Sequence, residues 1–358
     1  MSNQNRGPVP VRSLLRAGLF LLIALAFLFA VQLLSEAMRA LSPAVRPLLH
    51  RRTSALSLVG VSWLLAYVLL NGSVVAAIAL SPFSADLIDV LDLFLLVAGS
   101  RLGAAGIIVL LGVLDFVRAS EHSLPEALRL GLLTFVVSHS IYVPATTIGA
   151  LAIWWAERGV WRDGVDVALD LRGAAFFEPL TTATVRSVGA VPSVLLAPIL
   201  FLGCLQLLDR LLNVVETDRL RDRASVLLRR RWLSLALGLV VTAVTTSVAF
   251  SMGVVVPIYN RGYIERNEIV PYVMGASLGT LSDTLLVAVV LDSDAGIAIV
   301  LLLFAAAALS TIVALPFYDA YYAAVDAVQD RLLENPRAFA AFLASLVAVP
   351  LALVALPI

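Results

Sequence analysis

Lysine is absent: all 25 positive charges are arginine, and 25 acidic residues bring the formal net charge to zero. Without lysine no Walker-type phosphate loop can exist. That argues against a primary ATP-driven pump and leaves an ion gradient as the energy source. Balanced charge carries no electrostatic footprint for nucleic acid. A single cysteine, Cys204, excludes an internal disulfide and any cysteine-based metal cluster. The three histidines, His50, His122 and His139, are not spaced like a metal site. Neither His-Glu-x-x-His nor Gly-x-Ser-x-Gly occurs, which weighs against a membrane enzyme.

Charge itself is scarce. Only 14% of the 358 residues are charged and 61% are hydrophobic, with mean hydropathy +0.98. Soluble domains carry about a quarter charged residues and under half apolar ones. Crossing ~30 Å of hydrocarbon takes roughly 20 apolar residues, and nine runs are candidates: Ala17 to Leu34, Leu58 to Leu80, Leu93 to Leu114, Leu128 to Trp155, Val188 to Leu208, Trp232 to Pro257, Ile269 to Leu291, Ile297 to Pro316 and Phe339 to Leu356. The expected class is an all-α polytopic protein embedded in the bilayer, multi-pass in the cell (plasma) membrane.

The chain matches itself. "FLFAVQLLSE" (Phe27 to Glu36) and "FLGCLQLLDR" (Phe201 to Arg210) agree at five of ten positions at an offset of 174, including Gln32 and Gln206. "LLNGSVVAAIAL" falls opposite "AVTTSVAFSMGV" at the same offset, aligning Ser73 with Ser247. "GSRLGA" (Gly99 to Ala104) falls opposite "GASLGT" (Gly275 to Thr280) at 176. Three blocks in one order imply two repeats, residues 1–155 and 190–358, joined by a polar linker over 156–189. The first run belongs to a repeat and is therefore expected to be retained, although Arg6, Arg12 and Arg16 before it also suit a signal peptide.

Both repeats interrupt an apolar segment with small polar residues, Asn71-Gly72-Ser73 and Thr245-Thr246-Ser247. Irregular backbone at membrane depth is tolerated only inside protein or beside a wet cavity. Paired interruptions in two halves predict broken or re-entrant helices around a central site.

At these residues the sequence resembles the sodium-phosphate cotransporter family, the type II group and its prokaryotic relatives. Members carry two inverted repeats, each with a Gln-Ser-Ser-Ser signature on a broken segment and a Gly-Ala-Asn-Ile-Gly-Thr-like segment after it. Gly275 to Thr280 is the nearer match, with Ser277 at the Asn position, and Gly99 to Ala104 is the looser one. Thr245 to Ser247 and Asn71 to Ser73 stand at the Gln-Ser-Ser-Ser positions without its Gln. The resemblance covers roughly residues 20 to 315. It implies a secondary active symporter of inorganic phosphate with sodium as coupling ion and no other cofactor. Other cargoes are a carboxylate or another oxyanion with sodium or protons, and a non-transporting sensor derived from a transporter is a third reading. Prokaryotic relatives often add a soluble C-terminal domain; none is expected after the run ending at Ile358.

The expected substrate ligands are Asn71, Ser73, Arg101, Thr246 and Ser247. Asp283, Ser277, Thr280, Gln32 and Gln206 are the expected ion ligands. Hydroxyls and half-helix N-termini suit an anion, but serine and threonine also bond back to helix carbonyls. Asp283, costly in an apolar segment, reads as a sodium ligand, a proton carrier or the partner of Arg101. Arg101 reads as an anion fork, that same partner, or a helix cap. The glycines four apart, Gly99/Gly103 and Gly275/Gly279, also suit close helix packing. Ser138, His139 and Ser140 form a polar patch, and Asp86, Asp89 and Asp92 read as one wet helical face.

Positive-inside bias puts Arg210 to Arg231 in the cytoplasm, with the linker outside. An inverted repeat places Arg39 to Arg52 outside too, against the four arginines there. The partners expected are the lipid bilayer and a small inorganic anion, with no nucleic acid. A homodimer is compatible with repeat-built transporters.

Overall fold

The apolar runs are helical, and the places where the chain changes direction are set by small residues and left-handed turns. A computed structural model describes residues 11–49, 54–118, 124–158, 177–213, 227–260 and 263–356. The linker stretch 159–176, the arginine-rich loop 214–226, His50, His122, Arg51 and Arg52 lie outside the described residues, as does Arg6.

Fourteen helices follow one another, with no strand among the described residues: α1 (Val11–Leu49), α2 (Ala55–Leu69), α3 (Gly72–Ser84), α4 (Val90–Arg118), α5 (Leu124–Glu157), α6 (Glu178–Val188), α7 (Ala190–Asn213), α8 (Arg231–Thr245), α9 (Val248–Asn260), α10 (Arg266–Gly279), α11 (Leu281–Val290), α12 (Asp294–Ala314), α13 (Tyr318–Glu334) and α14 (Pro336–Ala355). Among the described residues, seven segments are long and apolar enough to cross a bilayer: Gly18–Val45, Val90–Val113, Arg129–Glu157, Ala190–Leu211, Arg266–Val290, Asp294–Ala314 and Pro336–Ala355. The protein is an all-α polytopic membrane protein.

Two of the nine candidate runs behave differently from a simple span. Leu58 to Leu80 divides into α2 and α3, and Trp232 to Pro257 into α8 and α9. At 1.5 Å per residue, α2 and α8 (15 residues each) reach ~22 Å and α3 and α9 (13 each) ~20 Å, all short of ~30 Å of hydrocarbon.

The packing of α4 on α2 shows where α3 goes. A methyl group at Gly99 would lie 2.5 Å from Val59 O, one at Gly103 2.6 Å from Trp63 O, and one at Gly106 would press on the Tyr67 ring. Advancing along α4 therefore advances along α2, so the two helices run parallel. Only α3 and residues 85–89 connect them, so α3 must carry the chain back to the level where α2 began. Gly72 already packs on Ser100 O and the Ala104 side chain, below the end of α2. The segment α2–α3 is a helical hairpin that enters and returns.

The second half repeats this. Gly275 packs directly onto Leu235 O, and a methyl at Gly279 would lie 2.7 Å from both Leu239 O and the Thr242 Cβ. Hence α8 and α10 are parallel and α9 returns. A hydrogen bond of 2.7 Å from Thr242 Oγ1 to Ser251 Oγ closes this second hairpin across its turn. The contact pairs map onto one another at one offset. Val59–Gly99 becomes Leu235–Gly275, Trp63–Gly103 becomes Leu239–Gly279, and Ala66–Gly103 becomes Thr242–Gly279, each pair 176 residues apart.

The remaining helices hold the hairpins in place. Helices α1 and α7 pack together, with Phe27 and Phe201 at a ring separation of 4.8 Å. Helix α14 lies against α2, where a methyl at Gly60 would reach 2.6 Å from Pro350 O. Helix α13 is held at its first turn by Arg231–Asp319 (2.5 Å) and at its middle by Arg266–Asp326 (2.6 Å), and Tyr321 OH meets Ser140 Oγ at 2.7 Å.

Asp86, Asp89 and Asp92 do not share a helical face. Asp86 sits in a turn at φ 53°, and Asp89 caps α4 by accepting the Asp92 N–H at 2.8 Å. Aspartates in this row do what helix N-termini ask of them.

Candidate functional site

The two hairpin tips are built alike. At the first, Leu70 turns left-handed at φ 51°, which frees the backbone to start again. Asn71 Oδ1 then accepts the N–H groups of Ser73 (2.8 Å) and Val74 (3.1 Å), capping α3. At the second, Thr246 turns at φ 52° and Ser247 Oγ accepts the Phe250 N–H at 3.1 Å, capping α9. Turn follows turn and cap follows cap at 176 residues. The geometric counterpart of Ser247 is therefore Asn71, and the alignment of Ser73 with Ser247 is corrected by two positions. Leucine-rich helices score similarly in neighbouring registers, whereas left-handed residues and caps do not slide.

Asn71 lines the site while its side-chain oxygen serves the helix. Asn71→Ala is expected to destabilise the protein by about 1–3 kcal/mol, because two N–H groups at membrane depth lose their acceptor. Asn71→Asp and Asn71→Ser are expected to recover most of that loss in thermal unfolding of detergent-purified protein.

Both tips open into one cavity of about 530 Å³, within the usual range for small-molecule sites. Asn71, Gly72 and Ser73 line it from the first tip and Ser247 and Val248 from the second. Arg101 reaches it from α4, Ser138 and Tyr142 from α5, and Ser277, Thr280 and Asp283 from the α10–α11 bend. Ser138 Oγ and Ser277 Oγ stand 3.0 Å apart, and Tyr142 OH donates to Ser277 O at 2.6 Å.

Arg101 and Asp283 form the electrostatic centre. They are 3% and 2% exposed. Arg101 Nη1 donates to Thr280 O at 3.0 Å, and Nη2 donates to Thr284 Oγ1 at 2.8 Å and lies 3.6 Å from Asp283 Oδ1. Thr284 Oγ1 in turn donates to Asp283 Oδ1 at 2.9 Å, and Ser73 Oγ donates to Asp283 Oδ2. Asp283 and Arg101 lie next to one another, and their pairing is one of the readings open from the sequence. Arg101 Nε has no hydrogen-bond partner among the described residues.

Residues 200–317 match the family described as Na+/Pi-cotransporter. That stretch holds the second hairpin, Ser277, Thr280 and Asp283, so the family resemblance read from the sequence is borne out on the half where the signatures are best kept. Neither a curated protein nor a solved structure matches the chain. The remaining sequence candidates lie as follows. Thr246 supplies the left-handed turn and is not among the cavity-lining residues. Gln32 accepts the Phe177 N–H at 3.0 Å, and Gln206 is exposed; neither lines the cavity. His139 stacks on Phe135 (3.8 Å) and bonds its carbonyl, also away from the lining.

Asp209, Tyr142 and Thr284 were missed by reading the sequence. Asp209 lines the cavity from α7, three residues beyond the Gln206 that drew attention. Next to Arg210 near a helix end, it reads as an interfacial charge, and only the fold turns it inward.

Proposed function

We propose that the protein is a secondary active transporter that carries inorganic phosphate together with sodium. The observation that carries this reading is the meeting of two capped hairpin tips, Asn71–Ser73 and Ser247–Val248, in one hydroxyl-rich cavity next to a buried arginine. Helix N-termini favour an anion through their partial positive charge, and the Ser247 hydroxyl, which accepts the Phe250 N–H, has its own hydrogen to donate. The lining holds one guanidinium, Arg101, and two carboxylates, Asp283 and Asp209, so the wall is formally negative. An anion entering such a cavity has to bring cations with it, which is the requirement that cation-coupled symport meets.

The architecture proposed with it is two repeats of opposite orientation. If each hairpin returns to the face it came from, the first half crosses the membrane with α1, α4 and α5. An odd number of crossings starts the second half on the opposite face. Helices α7, α8–α9, α10–α11 and α12 then follow the same order as α1, α2–α3, α4 and α5, and α13 and α14 are an appended clasp. The two repeats proposed here span residues 1–155 and 190–314, the second being shorter than one that ran to the end of the chain.

Purified protein in sealed vesicles is expected to accumulate radiolabelled phosphate several-fold above equilibrium under an inward sodium gradient, and not under an inward choline gradient. Absence of gradient-driven uptake would sink the reading. Competition by unlabelled sulfate, arsenate and dicarboxylates tests whether the cargo is instead another anion, a reading kept open because neither tip carries the Gln-Ser-Ser-Ser signature.

A further inference from the structure

Arg101 stands where its repeat counterpart, 176 residues on, is Ser277. The guanidinium is directed at a carbonyl (Thr280 O, 3.0 Å), a hydroxyl (Thr284 Oγ1, 2.8 Å) and a carboxylate (Asp283 Oδ1, 3.6 Å). Uncharged oxygens grouped around one carboxylate make the donor set that a hard monovalent cation takes. Burial excludes water from compensating either charge: both side chains are nine-tenths or more buried. A guanidinium cannot lose its proton in a protein, so this positive charge is permanent.

We propose that Arg101 is a tethered cation, filling an oxygen-lined position at Asp283, Thr280 and Thr284 that would otherwise bind a sodium ion. This inference rests on the transporter reading for its consequence, since it removes Asp283 from the ion ligands and lowers by one the ions that need accompany the cargo. It does not rest on that reading for its evidence. Asp209, which makes no ion pair among the described residues, is the carboxylate left to meet a mobile cation.

The Ser277 counterpart suggests the decisive variant. Arg101→Ser empties the position while leaving Asp283 charged. Thermal unfolding of full-length protein in detergent is compared in sodium chloride and in choline chloride at equal ionic strength. The variant is expected to be destabilised in choline and to recover by roughly 5 °C or more in saturating sodium, as for a ligand well above its dissociation constant. Adding Asp283→Asn to Arg101→Ser is expected to abolish that sodium response. The wild type and the paired variant Arg101→Gln with Asp283→Asn, which removes both charges, are expected to respond to sodium alike.

The proposal is overturned if Arg101→Ser gains no sodium response or stays unfolded in saturating sodium. It is equally overturned if the wild type shows a sodium response that the paired variant loses, because sodium would then be bound through Asp283 with Arg101 in place. A wild type that carries no phosphate sinks the transporter reading alone and leaves the stability comparison standing.

Discussion

Asp283→Asn is expected to lower stability by roughly 3–5 kcal/mol, the cost of leaving one member of a buried ion pair without its counter-charge. Asparagine fills nearly the same volume, so packing changes little. What changes is that the Arg101 guanidinium keeps its charge at 3% exposure, with only Thr280 O and Thr284 Oγ1 to answer it. Arg101 has nowhere to retreat: α4 is locked on α2 by Gly99 and Gly103. Removing both charges in Arg101→Gln with Asp283→Asn is expected to restore most of the loss, since two buried neutral amides cost less than one stranded ion. A double-mutant cycle on thermal unfolding measures this directly. An Asp283→Asn protein within about 1 kcal/mol of wild type would mean that water or another cation already reaches the pair, and the dry centre described above would be wrong. The pair also ties the first hairpin tip, through Ser73, to the bend of the second half, so the same variant loosens the contact between the two halves.

What the sequence disclosed and what it withheld divide along a physical line. Solvent class is a bulk property, and 61% hydrophobic residues in long runs made the membrane assignment straightforward. The interruptions were legible because Asn-Gly-Ser and Thr-Thr-Ser are poor helix interiors whatever surrounds them. The pairing of Arg101 with Asp283 was one of several alternatives, since any buried charge needs a partner but the sequence does not say which helix brings it. Direction was not legible. Leu58 to Leu80 is long enough to span, and nothing in its hydropathy tells a crossing from a return; the parallel packing of α4 on α2 does. Register within the repeat failed for the same reason, because apolar alignment is nearly indifferent to a shift of two, while a left-handed residue before a cap is not. Gln32 and Gln206 attracted attention as polar residues in apolar runs. One of them accepts a backbone N–H from Phe177 and the other is exposed, so rarity in a helix marked a local need instead of a central one.

Gly275→Val is expected to be the most damaging single substitution, with loss of the monodisperse peak on size-exclusion chromatography and little folded protein to melt. Hydrogen is the only side chain that fits, because a methyl at Gly275 would overlap Leu235 O and lie 2.8 Å from Leu239 N. Those neighbours are backbone, so no rotamer change relieves the overlap, and the usual ~1–3 kcal/mol for an overpacked core is a lower bound. Valine forces α8 away from α10, which moves Thr246 and Ser247 at the hairpin tip and opens the cavity on that side. The comparison that isolates this cause is Gly203→Val in α7. No atom would lie within 4 Å of a methyl there, and the substitution is expected to change stability by less than about 1 kcal/mol, because valine's helix propensity exceeds that of glycine. Gly99→Val, which presses on Val59 O in the first half as Gly275→Val presses on Leu235 O in the second, is expected to fail in the same way. Should the two substitutions differ widely, with one tolerated and the other not, the contacts repeated at 176 residues would not reflect two hairpins held by equivalent packing, and the proposed duplication would lose its strongest support.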